Sequence, residues 1–380
     1  MTPKRLISFL LAAIMVLALW PSAVLADDLV PYLDENGAEQ SVSRSVLTVI
    51  GEGQVPPALS GGWYLLTGTV TVDRTLPVTG QAHLILEDGS MLDVRGENNK
   101  AGVQVTSGAG LTLYAQSEGE DMGRLSALGG VDGAGIGGGK SQAAGNITIN
   151  GGSIRAEGKG TFTFGGGAGI GGGRVGNGGQ TVINGGQVTA IGGLYGAGIG
   201  GGDTGSGGII IINGGQVTAV GGGEAHNGGG AGIGGGWLRP GGNITINGGD
   251  VDAEGGEYAA GIGGGTEADG GVIAIHGGTI TARGKDGLYK EAGAGIGGGG
   301  EGGGGSLLIT GGQVRAQGGG EAPGAGPGAE GEAGTVRIEP AEGLRIQLRA
   351  SNTSGSPDFE QTVTYPAAYS YSGGYSFFEL

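Results

Sequence analysis

Apolar and polar residues alternate along most of the chain in short runs that clusters of glycine interrupt. In the segment that contains Ile147, Ile149, Ile154 and Ala156, every second residue of each run is apolar. A period of two is typical of half-buried β-strands, and the runs are too short and too rich in glycine for helices. The pattern therefore predicts an all-β protein made of many short strands.

Two motifs recur at a fixed internal distance. Six copies of Ala-Gly-Ile-Gly-Gly-Gly, spaced alternately 34 and 29 residues apart, begin at Ala134, Ala168, Ala197, Ala231, Ala260 and Ala294. A second motif, most commonly Ile-x-Ile-Asn-Gly-Gly-x-Val-x-Ala, places its glycine pair 17 residues after each opening alanine. The constant core and the insertion in alternate copies indicate one structural unit per repeat.

Each unit contains three short strands and cannot bury its apolar face alone, so it must stack on its neighbours. Stacking in register places Ile149 beside Ile183 and Ala156 beside Ala190. We therefore predict a right-handed parallel β-helix (β-solenoid) with about six regular coils of 29 or 34 residues, irregular terminal coils and caps. Its corners would carry a column formed by Asn150, Asn184, Asn213, Asn247, His276 and Thr310.

If the alanine and isoleucine of Ala-Gly-Ile-Gly-Gly-Gly point inward, then Gly135, Gly137 and their equivalents point outward. This glycine strip is either a tight bend or a bare face that another sheet or a flat polymer could approach closely.

The chain divides into four predicted segments. Residues 1–26 read as a signal peptide, because Lys4 and Arg5 precede the apolar run Leu6–Trp20 and Ala26 ends a small-residue cleavage site. The alternative is a transmembrane anchor, but this apolar run is short for a segment that spans a membrane. Residues 27–128 would form an N-terminal cap and irregular coils, 129–320 the glycine-rich repeats, and 321–380 a degenerate coil and C-terminal cap. We expect a secreted, extracellular protein, free or held on the cell surface, with no membrane span after signal removal.

Composition removes several alternatives. The chain has 100 glycines among 380 residues but only 12 prolines, and the glycines are not spaced every third residue, which excludes collagen. The net charge of −16, without a cluster of Lys or Arg, argues against nucleic-acid binding. The absence of cysteine excludes disulfides and thiolate metal sites.

Bulky side chains in the loops are the candidate ligand-binding residues. These aromatics are Phe162, Phe164, Tyr195, Tyr258, Tyr289 and, on a different loop, Trp237. Tyr195 and Tyr258 occupy equivalent positions two coils apart, roughly 9.6 Å at the spacing of β-strands, which is comparable with the disaccharide repeat of an extended β-linked glycan. The alternative is that the tyrosines only cover apolar loop surface.

Acidic side chains give a candidate metal site. Asp250, Asp252 and Glu254 alternate with apolar residues and should share one face, where three carboxylates could bind Ca²⁺. The alternative is a solvated face on which Arg283 of the next coil pairs with Glu254. No other cofactor is expected. The outward strand positions carry no Asp/Asp/Arg cluster of the kind that catalysis on β-helices uses, so we expect no enzyme.

The repeated Ala-Gly-Ile-Gly-Gly-Gly and Ile-Thr-Ile-Asn-Gly-Gly-x-Val-x-Ala motifs resemble those of glycine-rich β-helical proteins secreted by Gram-positive bacteria. Members are often described as cell-surface or carbohydrate-binding domain proteins, so the resemblance implies a non-catalytic protein that binds a polysaccharide or cell-wall glycan or acts in adhesion. Two alternatives stay open: a structural matrix protein that self-associates, and a polysaccharide lyase or hydrolase.

Overall fold

The computed structural model describes residues 28–161, 165–223, 228–287, 291–352, 358–372 and 374–380. In these ranges the chain forms the predicted right-handed parallel β-helix, in which successive coils add one strand to each of three long sheets. The predicted signal peptide lies outside the described residues. No helix in the described ranges has the length and apolar character that a membrane crossing requires.

Each of the three sheets runs along the axis of the solenoid. In order of pairing, the first sheet contains Leu47–Ile50, Gly62–Leu66, Gln81–Leu86, Gly110–Ala115, Asn146–Ile149, Gln180–Ile183, Ile209–Ile212, Asn243–Ile246, Val272–Ile275, Ser306–Ile309, Thr335–Ile338 and Tyr369–Tyr371. The second sheet contains Thr69–Val72, Met91–Arg95, Arg124–Leu128, Ser153–Glu157, Gln187–Ile191, Gln216–Val220, Asp250–Glu254, Thr279–Arg283, Gln313–Gln317, Phe377–Glu379, Arg345–Ser351 and Phe359–Thr364. The third sheet contains Leu76–Val78, Val103–Val105, Ile136–Gly137, Ile170–Gly171, Ile199–Gly200, Ile233–Gly234, Ile262–Gly263, Ile296–Gly297 and Ala325–Gly326.

Stacking follows the register that the repeats predict. Ile149 pairs with Ile183, and Ala156 pairs with Ala190, and all four are fully buried in the core. Among the described residues, nine coils carry a strand in every sheet, because two such coils precede the first Ala-Gly-Ile-Gly-Gly-Gly copy and one follows the last. The strands before residue 129 therefore belong to the same sheets as the repeats, and the pairing shows no break there.

The asparagine column stabilises the corner between the first and second sheets. The side-chain amide of Asn184 donates to Asn150 Oδ1 at 2.8 Å, and Asn213 and Asn247 continue the chain of amide bonds at 2.7 Å each. His276 Nδ1 lies 2.7 Å from the hydroxyl of Thr310 one coil later. These contacts fit the structural role expected for corner residues.

The glycine strip is not a bare outer face. Gly135 and Gly137 are buried, and a Cβ on Gly137 would lie 2.0 Å from the carbonyl oxygen of Gly171 in the next coil. The φ of Gly137, 136°, is also outside the range that other residues adopt easily. The backbone of neighbouring coils thus occupies the space, so of the two alternatives the tight bend fits and the approachable face is wrong.

Extra elements pack on the solenoid near its two ends. At the start, the hairpin of Leu29–Leu33 and Glu39–Ser43, followed by the 3₁₀ turn Arg44–Val46, places Tyr32 against Trp63 and Tyr114 on the outer face of the first sheet. At the other end, Tyr369–Tyr371 and Phe377–Glu379 pair antiparallel to the last coils. A further short antiparallel pair joins Gly160–Thr161 to Gly165–Gly166 within a loop.

Candidate functional site

The loops that enter and leave the third sheet meet along one side of the solenoid, which we name the loop edge. Two kinds of position build it: the residue two places before the opening alanine of a repeat, and the residue six places after it. The first kind comprises Asp132, Tyr195 and Tyr258, and the second comprises Lys140, Arg174, Asp203, Trp237 and Thr266.

Backbone hydrogen bonds hold the two kinds of position together. The N–H of Arg174 donates to the carbonyl of Asp132 at 2.9 Å, and the N–H of Trp237 donates to the carbonyl of Tyr195 at 3.0 Å. Asp132, Tyr195 and Tyr258 all adopt left-handed conformations, with φ of 70°, 67° and 60°. This conformation is unfavourable for most residues, so the stacked coils must impose it.

The structure brings Tyr195 and Trp237 together, although the sequence places them on different loops. Their ring centroids lie 5.5 Å apart with an interplanar angle of 31°, and both side chains are partly exposed. The contact arises because Trp237 stands six places after one opening alanine while Tyr195 stands two places before the previous one. Adjacent coils then stack one residue on the other along the loop edge.

Tyr258 does not join this pair. It is only 6% exposed, and a Cβ on Gly287 would overlap its ring, so the loop at Gly287 covers it. The expected platform of Tyr195 and Tyr258, both accessible and two coils apart, is therefore wrong. Phe162, Phe164 and Tyr289 lie outside the described residues.

A charged cluster that the sequence analysis missed lies beside the aromatic pair. Arg174 Nη1 is 3.2 Å from Asp132 Oδ2, and Arg174 Nε is 4.0 Å from Asp203 Oδ2. Lys140 Nζ lies 3.1 Å from the same Asp132 oxygen. The three coils that supply these residues are consecutive. The cluster is built from loop residues and not from the outward strand positions. Its signal in the sequence is that Lys140, Arg174 and Asp203 share one repeat position.

Burial controls the electrostatics of the cluster. Asp132 is 3% exposed and Asp203 is 7% exposed, and the Oδ1 atom of each has no hydrogen-bond partner among the described residues. Burial raises the pKa of Asp203 to about 6, because the attraction of Arg174 does not offset desolvation and the charge of Asp132 adds to the rise. A carboxyl with such a pKa changes charge close to neutrality.

The acidic strand faces outward as predicted, but its ion pairs differ from the prediction. Asp250 and Asp252 are exposed and Glu254 is partly exposed on the outer face of the second sheet. Glu254 and Arg283 are cross-strand neighbours, as predicted. Arg283 forms its ion pair with Asp252, however, and Glu254 pairs with Lys285 at 3.6 Å, so the expected ion pair between Arg283 and Glu254 is wrong. In the described ranges, no group of three or more acidic or histidine side chains could hold a metal ion. Calcium binding at this strand stays a prediction without structural support.

Several of the coils match a family model of known proteins. A family model described as a β-helix repeat matches residues 147–174, 182–203, 244–266 and 273–300, and the described residues of these ranges belong to the stacked coils. This chain is a β-helical repeat protein. No curated protein and no solved structure matches the chain. Since a fold does not determine a function, the function of this β-helical repeat protein depends on the chemistry of its surface.

The loop edge offers two kinds of chemistry in this β-helical repeat protein. The rings of Tyr195 and Trp237 form a partly exposed aromatic surface, and Arg239, exposed two residues after Trp237, donates from Nε to the carbonyl of Thr204 at 3.1 Å. The neighbouring cluster around Arg174 is largely buried. The edge is therefore suited to contact a ligand through rings and a guanidinium, with the buried charges beside them in the preceding coils.

Proposed function

We propose that the protein is secreted and binds polysaccharide, without cleaving it, through Tyr195 and Trp237. The observation that carries this proposal is the contact between the two partly exposed rings on a rigid edge of the solenoid. Aromatic rings provide apolar surface with few rotatable bonds, and they can stack on the C–H face of a sugar ring. Rings held by stacked coils lose little conformational entropy when a ligand binds, which favours affinity.

The direction of the loop edge supports an extended ligand. Equivalent residues of successive coils are about 4.8 Å apart along the axis, so the loop edge runs straight past several coils. A glycan chain lying along it would meet the rings first and then polar groups such as the guanidinium of Arg239, which is positioned by its bond to Thr204. Adhesion to a glycan-bearing cell surface would use the same contacts.

The test uses the fluorescence of Trp237. A Trp63→Phe variant leaves Trp237 as the tryptophan of the chain after residues 1–26, and neutral polysaccharides such as cellulose and chitin oligomers are titrated into it. We expect a saturable change in emission and protection from acrylamide quenching. Trp237→Ala should abolish retention on the insoluble polymers, whereas Trp63→Phe should retain it. The proposal is overturned if a broad glycan array shows no binding, or if Trp237→Ala binds as well as the parent.

A second candidate function is that of a polysaccharide hydrolase or lyase. The observation that favours it is the Asp132–Arg174–Asp203 cluster with its carboxyl of raised pKa, since perturbed titration often accompanies catalysis. Release of reducing ends or unsaturated products, lost in Asp203→Asn, would support it. The depth of both carboxylates argues against direct contact with a polymer. Self-association through the glycine strip loses its motive, because that strip is buried.

A further inference from the structure

Four arginines converge on the outer face of the second sheet, where the last coil meets the C-terminal strands. Arg283, Arg315, Arg345 and Arg349 line two adjoining clefts of about 630 and 430 Å³ that share Thr281, Arg315, Arg349 and Glu379. We name this surface the arginine groove. Such a concentration stands out in a chain that has 19 basic and 35 acidic residues.

The shape of the groove follows from the pairing of strands. The short strand Phe377–Glu379 separates Gln313–Gln317 from Arg345–Ser351 over only three residues of each. Beyond it the two longer strands are not bridged, and a cleft opens between them. Its walls carry side chains that hydrogen-bond readily, namely Gln313, Gln347 and Thr279.

Part of the positive charge is compensated within the protein. Arg315 Nε lies 3.1 Å from Glu379 Oε1, Arg349 Nε lies 3.2 Å from Glu360 Oε1, and Arg283 pairs with Asp252. Even so, the Arg315 side chain is 75% exposed and that of Arg349 is 50% exposed. A guanidinium has five N–H donors, more than one carboxylate accepts, so both arginines keep donors that face the groove.

Arg345 is the uncompensated member. It is exposed, and no carboxylate of a described residue lies within 4.0 Å of it, although it lines the larger cleft. Exposed Leu344 and partly exposed Phe377 add apolar surface at the rims. A groove with guanidinium forks, amides and some apolar surface suits a chain of sugar rings that carry carboxylate or sulfate groups.

We propose that the arginine groove is a second binding site, which takes an acidic polysaccharide. This site goes beyond the proposed function, because none of its residues belongs to the loop edge and because it selects negative charge. Planar guanidinium groups bind carboxylate and sulfate oxygens in a bidentate manner, which lysine cannot reproduce. The net negative charge of the rest of the protein would repel such a polymer elsewhere and so direct it to the groove.

The test compares polygalacturonate, dextran sulfate and uncharged dextran as probes at about 50 mM ionic strength, where screening is weak. Arg345→Gln/Arg349→Gln should weaken binding of the acidic probes at least tenfold, and Arg345→Lys/Arg349→Lys should restore less than half of the lost affinity on a logarithmic scale. Arg124→Gln/Arg155→Gln is the matched control, since it removes two charges from the same sheet far from the groove, and it should change affinity less than twofold.

The comparison of probes and variants identifies the ligand and can overturn the proposal of a binding site. Tighter binding of polygalacturonate than of dextran sulfate assigns carboxylate, and the reverse order assigns sulfate; both support the groove. Equal weakening in the groove and control variants, or no preference for acidic probes over dextran, overturns it. Trp237→Ala should keep its affinity for the acidic probes, so a failure of the loop-edge proposal and a failure of the groove are distinguishable.

Discussion

Arg174 links two aspartates from different coils, with its Nη1 atom 3.2 Å from Asp132 Oδ2 and its Nε atom 4.0 Å from Asp203 Oδ2. The three residues come from consecutive coils, so the charges connect coils that are otherwise joined by backbone hydrogen bonds. The backbone of Asp203 is also held in place, because its N–H donates to the carbonyl of Gly166 at 2.8 Å. The stacking of the coils is thus coupled to the protonation of the Asp203 carboxyl group.

This link predicts that stability depends on pH through Asp203. Its pKa is raised from 3.8 to about 6 in the folded protein, so the folded state binds the proton more tightly than the unfolded state. The resulting stabilisation is complete below pH 3.8 and is lost as the pH rises through 6; its size is about 3 kcal/mol. Calorimetry between pH 4.5 and 7.5 should show a steeper fall in melting temperature for the parent than for Asp203→Asn. Parallel profiles would contradict the assignment.

The coils are well predicted from the sequence, because each repeat contains several motifs that fix its register against the next repeat. The pairs of Ile149 with Ile183 and of Ala156 with Ala190 follow from counting residues between motifs. The loop edge is harder to predict, because its contacts join a residue of one loop to a residue of another, as with Tyr195 and Trp237. Burial of Tyr258 depends on the loop at Gly287, whose path no periodic pattern determines.

The asparagine column predicts a specific loss of stability. Asn184 both donates to Asn150 and accepts from Asn213, so Asn184→Ala removes two side-chain hydrogen bonds at once. At about 1 kcal/mol for each bond, the loss should be about 2 kcal/mol and should lower the melting temperature. Asn243→Ala is the matched control, because that side chain is exposed on the outer face of the first sheet. Equal melting temperatures for the two variants would argue against a structural column.

Because the coils approach each other closely, alanine substitutions at two glycines of positive φ should differ sharply in their effect on stability. Gly171 has φ 137°, and a Cβ there would lie 1.9 Å from the carbonyl oxygen of Gly200. Gly89 has φ 74° but open space around the same position. Gly89→Ala should cost about 1 kcal/mol from backbone strain alone, whereas Gly171→Ala should also separate two coils and expose the chain to limited proteolysis. Comparable resistance of the two variants would show that the coils can relax.

Tyr195 allows binding and folding to be separated. Its φ of 67° is one that asparagine adopts readily, and Asn99 already occupies the equivalent position in an earlier coil with φ 66°. Tyr195→Asn therefore relieves backbone strain while it removes the ring that contacts Trp237. The two effects are of similar size, so stability should change by less than about 1 kcal/mol.

Affinity for neutral polysaccharide, in contrast, should fall at least tenfold in Tyr195→Asn, measured by retention on insoluble polymer and by the emission of Trp237 in the Trp63→Phe background. Tyr64→Phe serves as the control, since that hydroxyl accepts from the N–H of Ser60 at 2.9 Å in the first coils, far from the loop edge. Full affinity in Tyr195→Asn would mean that the contact between Tyr195 and Trp237 serves only to pack one coil on the next.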